Sequence, residues 1–414
     1  MTTTGGMAPE ILRRVDELAA ISEEPGRLTR TFLSAEQRLA SGRVADWMRE
    51  AGMSARIDAI GNVVGRYEGK TPGLPALVLG SHLDTVRDAG RYDGMLGVVT
   101  AIACVDRLNR DGARPDFAIE VIGFSDEEGV RFGATMLGSR AVAGTFDAAL
   151  LGRVDDHGVT MERALRESGL DAAAIPTAAR RPEEVLAYVE LHIEQGPILE
   201  ARSLAVGCVS SISGATRFAV DIAGEAGHAG TVPMNARRDA LAAAAECVLA
   251  IETRCGREDG LVGTVGRLET RPGAINVIPG EARFTIDVRA PEDGQRDRCA
   301  GEIAAAIAGI AKRRGVAASL RKIHDMPAAP CAPGLMEQID RAIMAEDLPP
   351  FRLPSGAGHD GMAMIALTDI GMIFVRCAGG VSHNPAESVT EADVETGAQV
   401  LLRFIRDFQP KGAR

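Results

Sequence analysis

Apolar positions along the chain fall into two spacings. The opening stretch "MTTTGGMAPEILRRVDELAA" reads as a short floppy lead into an amphipathic helix. A second helix begins at "SAEQ" (Ser34–Gln37), which has the spacing of a capping box. Short apolar runs then alternate with helical stretches: "NVVGRYEG", "ALVLG", a helix over about Met95–Arg110, "FAIEVIGF", a shorter helix near Gly138–Ala143, and the strand "VLAYVELHI" (Val185–Ile193). Buried strands interleaved with helices predict an α/β domain, a doubly wound mixed sheet with both faces covered. In such sheets ligands gather where strands end at their carboxyl side.

From about Ser213 the pattern changes. "TRFAVDIAG" is strand-like and "NARRDALAAAAECVLAIETRC" helical; "LVGTVGRLET" and "GEARFTIDVRAP" read as two more strands. The helix "GQRDRCAGEIAAAIAGIAKRRG" and the strand "VAASLRKIH" close the run. The order βαββαβ predicts a ferredoxin-like α+β domain of about 110 residues inserted into the first. Residues 1–212 and 326–414 would form the catalytic domain and 213–325 the insertion, with "MPAAPCAPG" as the return linker. The α/β pattern resumes with "GMIFVRC" and ends in a helix over Glu391–Phe408.

Composition narrows the class. A chain of 414 residues exceeds one ordinary core, and its 46% hydrophobic and 25% charged residues are globular values. Its longest apolar runs, such as Ala240–Ile251, meet a charge before reaching membrane-spanning length, and the N-terminus lacks a secretory layout. Seven scattered cysteines without a Cys-x-x-Cys pair suit packed thiols in a cytoplasm. A net charge of −11 argues against nucleic acid or an anionic membrane as partner, while leaving an anionic small substrate open.

The chemistry-bearing residues cluster at strand ends. His82 and Asp84 can point to one face, as metal ligand and orienting acid or as a capped turn. Asp93 lies in "RYDGMLG", where it could bridge two ions or simply make an Asp-Gly turn. "GFSDEEGVRFG" ends an apolar strand with Asp126, Glu127 and Glu128, a repulsive set unless a cation or shared proton is present. One Glu would bind metal while the other takes a proton from water. "LHIEQGP" places His192 late in a strand, with Glu194 and Gln195 following, and "GGVSHNPAE" places His383 in a loop. Together His82, Asp93, Glu128, His192 and His383 form a carboxylate–imidazole set suited to Zn²⁺, Mn²⁺ or Co²⁺, with Ni²⁺ also compatible, and two ions sharing Asp93 would use all five.

In the insertion, His228, Asn276 and Arg289 stand out, each with a plainer reading as surface histidine, turn asparagine or ion-paired strand arginine. The glycine-rich "SGAGHDGMAM" lacks the Gly-Lys-Ser/Thr ending of a P-loop. Gly358 and His359 there could instead hold a substrate carboxylate or ureido group. His157 and His324 join no constellation and read as structural.

These blocks together resemble the amidase/hydantoinase/carbamoylase family of two-metal amidohydrolases, within the wider dinuclear aminopeptidase and aminoacylase superfamily. "GSHLDTV", "YDGMLGV", "DEEGVRFG", "GSRAVAG", "LHIEQGP", "GHAGTVPM", "NVIPG", "SGAGHDG" and "SHNPAE" carry the resemblance over about residues 60 to 390. It implies that His82, Asp93 and His192 bind one ion and that Asp93, Glu128 and His383 bind the other. His192, where many superfamily relatives carry an acid, favours the carbamoylase branch. Glu127 would be the general acid/base, and Asp84 the partner of His82. The inserted domain would make a homodimer, with His228 reaching the other subunit's site to steady an oxyanion. Gln195, Asn276, Arg289 and His359 match positions that hold the substrate's carboxylate and ureido groups.

The implied reaction is hydrolysis of a ureido C–N bond in the cytoplasm. Allantoate, the ring-opened product of purine breakdown, is the first choice of substrate, on "RDAGRYDGMLGVVTAI" and "DEEGVRFGATMLGSRAVAGTF". N-carbamoyl-L-amino acids or β-ureidopropionate are the close alternative, and a peptidase-like amide hydrolase is more remote. A non-catalytic binder on the same fold would be marked by loss of a ligand or of Glu127, and neither is lost.

Overall fold

The computed structural model describes residues 5–411, so the first four residues of the expected N-terminal lead lie outside the described residues. The chain forms two compact units: residues up to Ser210 with Cys331–Leu353 and Ala357 onward, and Ser211–Pro330 with Pro354–Gly356.

The first unit is built on a mixed sheet. Its strands run in the order Ser54–Ile57, Val63–Tyr67, Ala118–Phe124, Ala76–His82, Val185–Ile193, Ile370–Val375, Val206–Ile212. The four strands from Ala118–Phe124 to Ile370–Val375 are mutually parallel, and the outer ones are antiparallel. Every residue of Ala76–His82 and Ala118–Phe124 is buried, so both faces of these strands are covered. The chain passes from Ala76–His82 to a neighbour on one side and later to Val185–Ile193 on the other. That reversal of order is where a crevice opens at the carboxyl ends.

Helix Met95–Arg110 packs against this centre through Gly97, where a Cβ would fall 2.1 Å from the Leu191 carbonyl oxygen. Helix Ala35–Glu50 is capped by Ser34, whose side chain accepts the Gln37 N–H. The capping box expected there is only half made. The Gln37 side chain reaches past Ser34 to accept the Leu33 N–H at 2.8 Å, and its amide donates to the Ser125 carbonyl near the acidic turn. The terminal helix is Glu391–Asp407.

The second unit has the βαββαβ order. Strands Gly214–Ala223, Glu281–Ala290 and Ala317–Met326 are antiparallel, and "LVGTVGRLET" forms two short strands, Val262–Thr264 and Leu268–Arg271, both paired with Glu281–Ala290. Helices Ala240–Cys255 and Asp293–Arg314 bury residues at three-to-four spacing, among them Ala243, Cys247, Ile251, Cys299, Ile303 and Ile307. These pack on Phe218, Val220, Ile222, Phe284 and Ile286, one face of the sheet. The alternate positions, including Arg217, Asp221 and Arg283, are exposed. All seven cysteines are buried free thiols.

Candidate active site

The first unit brings together His82, Asp84, Asp93, Glu127, Glu128, His192 and His383, all singled out in the sequence. His82 ends its strand, and the turn after Phe124 brings Asp126, Glu127 and Glu128 beside it. Asp84 fastens the two: its carboxylate accepts the Glu127 N–H at 2.9 Å and the Glu128 N–H at 3.1 Å. The expected carboxylate–imidazole bond is looser. His82 Nδ1 lies 3.0 Å from the Asp84 carbonyl oxygen and 3.6 Å from its carboxylate, so the carbonyl orients the ring. His192 is oriented in the same way, with Nδ1 2.9 Å from the Ile193 carbonyl.

Asp93 occupies the middle. Its Oδ1 lies 3.5 Å from His82 Nε2 and 3.1 Å from His192 Nε2. Its Oδ2 lies 3.1 Å from His383 Nε2, which is 3.4 Å from Glu128. Gly94, next along, has a φ of +72°, and a Cβ there would fall 2.5 Å from the His82 ring. Glycine therefore satisfies both the turn and the close approach.

Ligand atoms of His82, Asp93 and His192 lie within 4.8 Å of one another, as do those of Asp93, Glu128 and His383. Three imidazoles with carboxylates and no thiol fit a pair of divalent cations, and each oxygen of Asp93 faces a different group of donors. The titration pattern agrees with that fit. Burial raises Glu127 well above its ordinary range, helped by the Glu128 charge, and raises Glu128 to about 7, helped by Asp93. Burial would raise Asp93 too, but hydrogen bonds from His192, His383 and His82 hold it well below. His383 is raised to about 8 by its bond to Asp93. Protons thus stand where cations would otherwise balance the acids.

His359 is buried in the same unit, its ring 4.5 Å from that of His192, and burial with the His192 charge keeps it well below its usual range. A Cβ on Gly358 would lie 3.6 Å from Glu127 Oε1, so the loop passes close to the candidate base. Gln195, expected to contact substrate, donates to Asp93 Oδ2 at 3.0 Å and to Ser382 Oγ at 3.1 Å.

His228, Asn276 and Arg289 belong to the second unit. His228 is exposed on the two-residue strand Gly227–His228, paired with Val277–Ile278. Its Nδ1 accepts the Gly230 N–H at 3.0 Å, which leaves Nε2 as the ring's donor. Asn276 is exposed, and its carbonyl accepts the Ala229 N–H at 3.0 Å. Arg289 forms a fork on Asp287, at 3.0 and 3.2 Å, and donates to the Gly356 carbonyl at 2.8 Å. His157 sits in an exposed turn, and half-buried His324 has its pKa lowered by burial and then by the charge of Arg217.

Several residues at the site escaped the sequence reading. Buried Glu190 accepts from Ser81 Oγ at 2.8 Å and from the Tyr188 hydroxyl at 3.0 Å, one turn of the pleat before His192. An acid two residues from a ligand on a buried strand was the available signal. Asp360 is fully buried and raised well above its usual range by that burial and by Glu190. Glu387 and Ser382 flank His383 in the quoted "SHNPAE" and both contact the Asp93 segment.

Comparison with known proteins identifies the family. The chain is 44% identical over 394 residues to an N-carbamoyl-L-amino acid amidohydrolase of Geobacillus stearothermophilus, covering 95% of this chain and 96% of that one. It is 43% identical over 439 residues to a probable allantoate deiminase of Oryza sativa subsp. japonica, covering 97% and 89%. The crystal structure of a hydantoinase/carbamoylase family amidase from Burkholderia multivorans superposes with a TM-score of 0.91 at 32% identity, covering 98% of each chain. With a family profile matching residues 78–407 as well, the chain belongs to the peptidase family M20/M25/M40.

Proposed function

We propose that this protein is a metal-dependent amidohydrolase that cleaves a ureido C–N bond of a small carboxylate, with allantoate as the substrate. The observation that carries the reaction class is Asp93, whose two oxygens face different imidazoles with Glu127 alongside. In this reading His82, Asp93 and His192 would hold one ion and Asp93, Glu128 and His383 the other. Two divalent ions there, Zn²⁺ or Mn²⁺, supply a polarised carbonyl and an acidified water.

Glu127 takes the proton from the attacking water and returns it to the leaving nitrogen. Its burial beside His82 and Glu128, in reach of the proposed ion positions, supports that role. His228, donating through Nε2–H from the second subunit of a homodimer built on residues 213–325, steadies the oxygen that gains charge. Arg289, Asn276, Gln195 and His359, with the Gly358 backbone, hold the carboxylate and ureido ends. The carbamate released decays to ammonia and CO₂, leaving ureidoglycine from allantoate. The cytoplasm, where seven buried thiols stay reduced, is the proposed location.

A second substrate reading, an N-carbamoyl-L-amino acid, is favoured by the relative at 44% identity that carries that name. Ammonia release from allantoate and from N-carbamoyl-L-methionine by purified, Mn²⁺-loaded protein separates the two. Release from allantoate at the higher kcat/KM is expected. Release from neither substrate, across several divalent metals, would overturn the enzyme reading. A monomeric mass with full activity would overturn the role of His228 across subunits.

A further inference from the structure

We infer that Glu387 is a positioning residue that sets the place of Asp93 relative to His383, and so selectively builds the second of the two ion positions. The inference rests on the two-ion reading above. Glu387 lies four residues beyond His383 and is 4% exposed. Its Oε1 accepts the backbone N–H of Tyr92 at 2.7 Å and of Asp93 at 3.1 Å. Its Oε2 lies 3.0 Å from Ser382 Oγ, which is itself 3.1 Å from Asp93 Oδ2. The side chain thus holds the Asp93 backbone at one end and, through Ser382, reaches the Asp93 carboxylate at the other.

The local sequence builds this strut from both sides. The Asn384 side chain accepts the Ala386 N–H at 2.9 Å and its carbonyl accepts the Glu387 N–H at 3.0 Å, turning the chain so that Glu387 points back. On the facing loop, Gly90 has no side chain to block the approach; a Cβ there would fall 2.2 Å from the Glu387 carboxyl carbon. His82 and His192 are held from elsewhere, by strand ends and the Asp84 and Ile193 carbonyls. His383 has no such strand: it sits in a loop with a φ of +54° and is half exposed. Ser382 and Gln195 tie that loop to the Asp93 carboxylate, and Glu387 alone among these side chains also holds the Asp93 backbone. Its loss should therefore loosen the Asp93–Glu128–His383 position and spare the His82–Asp93–His192 position.

Outer residues of this kind typically change metal affinity by about 10–100-fold. The test is calorimetric titration of apo protein with Mn²⁺, with bound metal counted after gel filtration, for wild type, Glu387→Ala and Glu387→Gln. The expected result is that wild type takes two ions and Glu387→Ala takes one at near wild-type affinity. Its second ion should bind about 10–100-fold more weakly. Glu387→Gln, whose amide oxygen can still accept both N–H groups, should recover most of that loss. Two ions bound by Glu387→Ala with wild-type affinities would overturn the inference, as would equal weakening of both. If Glu387→Ala does not fold, Glu387→Gln and Ser382→Ala carry the same comparison, and wild-type affinity for both ions in both variants overturns it. Wild type taking fewer than two ions would instead count against the two-ion reading itself.

Discussion

The two sheets use the same charged residues in opposite media. On the second unit's open face, Arg283 meets Asp221 at 2.8 Å and Arg217 meets Asp287 at 2.8 Å, across register pairs of an antiparallel sheet. Water screens these pairs, and each is worth little. At the carboxyl ends of the first unit's parallel strands, Asp84, Asp93, Asp126, Glu127, Glu190, Asp360 and Glu387 are all buried. There the cost of burial falls on the charge: burial raises Asp126, Glu127, Glu190, Asp360 and Glu387, while hydrogen bonds from His192, His383 and His82 hold Asp93 low. The comparison teaches that acidity alone does not mark a catalytic sheet. Acids collected and buried where strands end do.

The sharpest way to test this contrast is metal removal. Chelation should abolish turnover, and Mn²⁺ or Zn²⁺ should restore it. Hydrogen exchange should speed up in the loops around Asp93, Glu128 and His383 and stay unchanged in Gly214–Ala223 and Glu281–Ala290. Equal acceleration in both sheets would erase the distinction. Next in size is Glu127→Gln, for which kcat should fall by about 10²–10⁴-fold with two ions still bound. Ion counting beside steady-state kinetics checks it, and near wild-type turnover would remove Glu127 from the proton path.

His228→Ala asks whether the solvent-facing unit nevertheless takes part in the chemistry. Loss of one oxyanion donor should lower kcat by about 10²–10³-fold, with ion content and melting temperature unchanged. Unaltered kcat would confine the reaction to residues of the first unit.

How much of this was readable beforehand follows from range. His82, Glu128 and His192 follow apolar strands within a few residues, so a local pattern of buried run and sudden polar end revealed them. The βαββαβ insertion was legible because helix and strand periodicities differ within each short segment. Glu387 was not, since nothing local tells an acid in an Asn-Pro turn from a solvated one; its partners are Tyr92 and Asp93, far away in sequence. The i, i+2 spacing pairs Asp84 with His82. Its carboxylate in fact serves the Glu127 and Glu128 backbone, a tertiary contact that spacing cannot encode. The contacts of Gln195 with Asp93 and Ser382 are likewise tertiary and leave no local signal.

Packing gives a smaller but still measurable difference. Gly97→Ala places a methyl 2.1 Å from the Leu191 carbonyl oxygen, between helix Met95–Arg110 and the strand that carries His192. Overpacking against backbone should cost about 1–3 kcal/mol in a denaturant titration, and should lower activity by moving His192. An unchanged midpoint would mean that the helix can withdraw without disturbing the strand.

The smallest effect belongs to the open face. Arg283 and Asp221 are 57% and 54% exposed, so their ion pair keeps most of its water in the folded protein. Exposed pairs of this kind are worth about 0.2–1 kcal/mol, and part of that is lost in salt. Arg283→Ala should therefore shift the denaturation midpoint by no more than that and leave kcat/KM for the substrate unchanged. Arg289, on the same strand and bonded to Asp287 and the Gly356 carbonyl, is the control. If it holds the substrate carboxylate, Arg289→Ala should raise KM while ion content stays the same. Parallel losses in both variants would mean that the face acts as one charged surface, and that position along the strand does not separate a binding arginine from a solvated one.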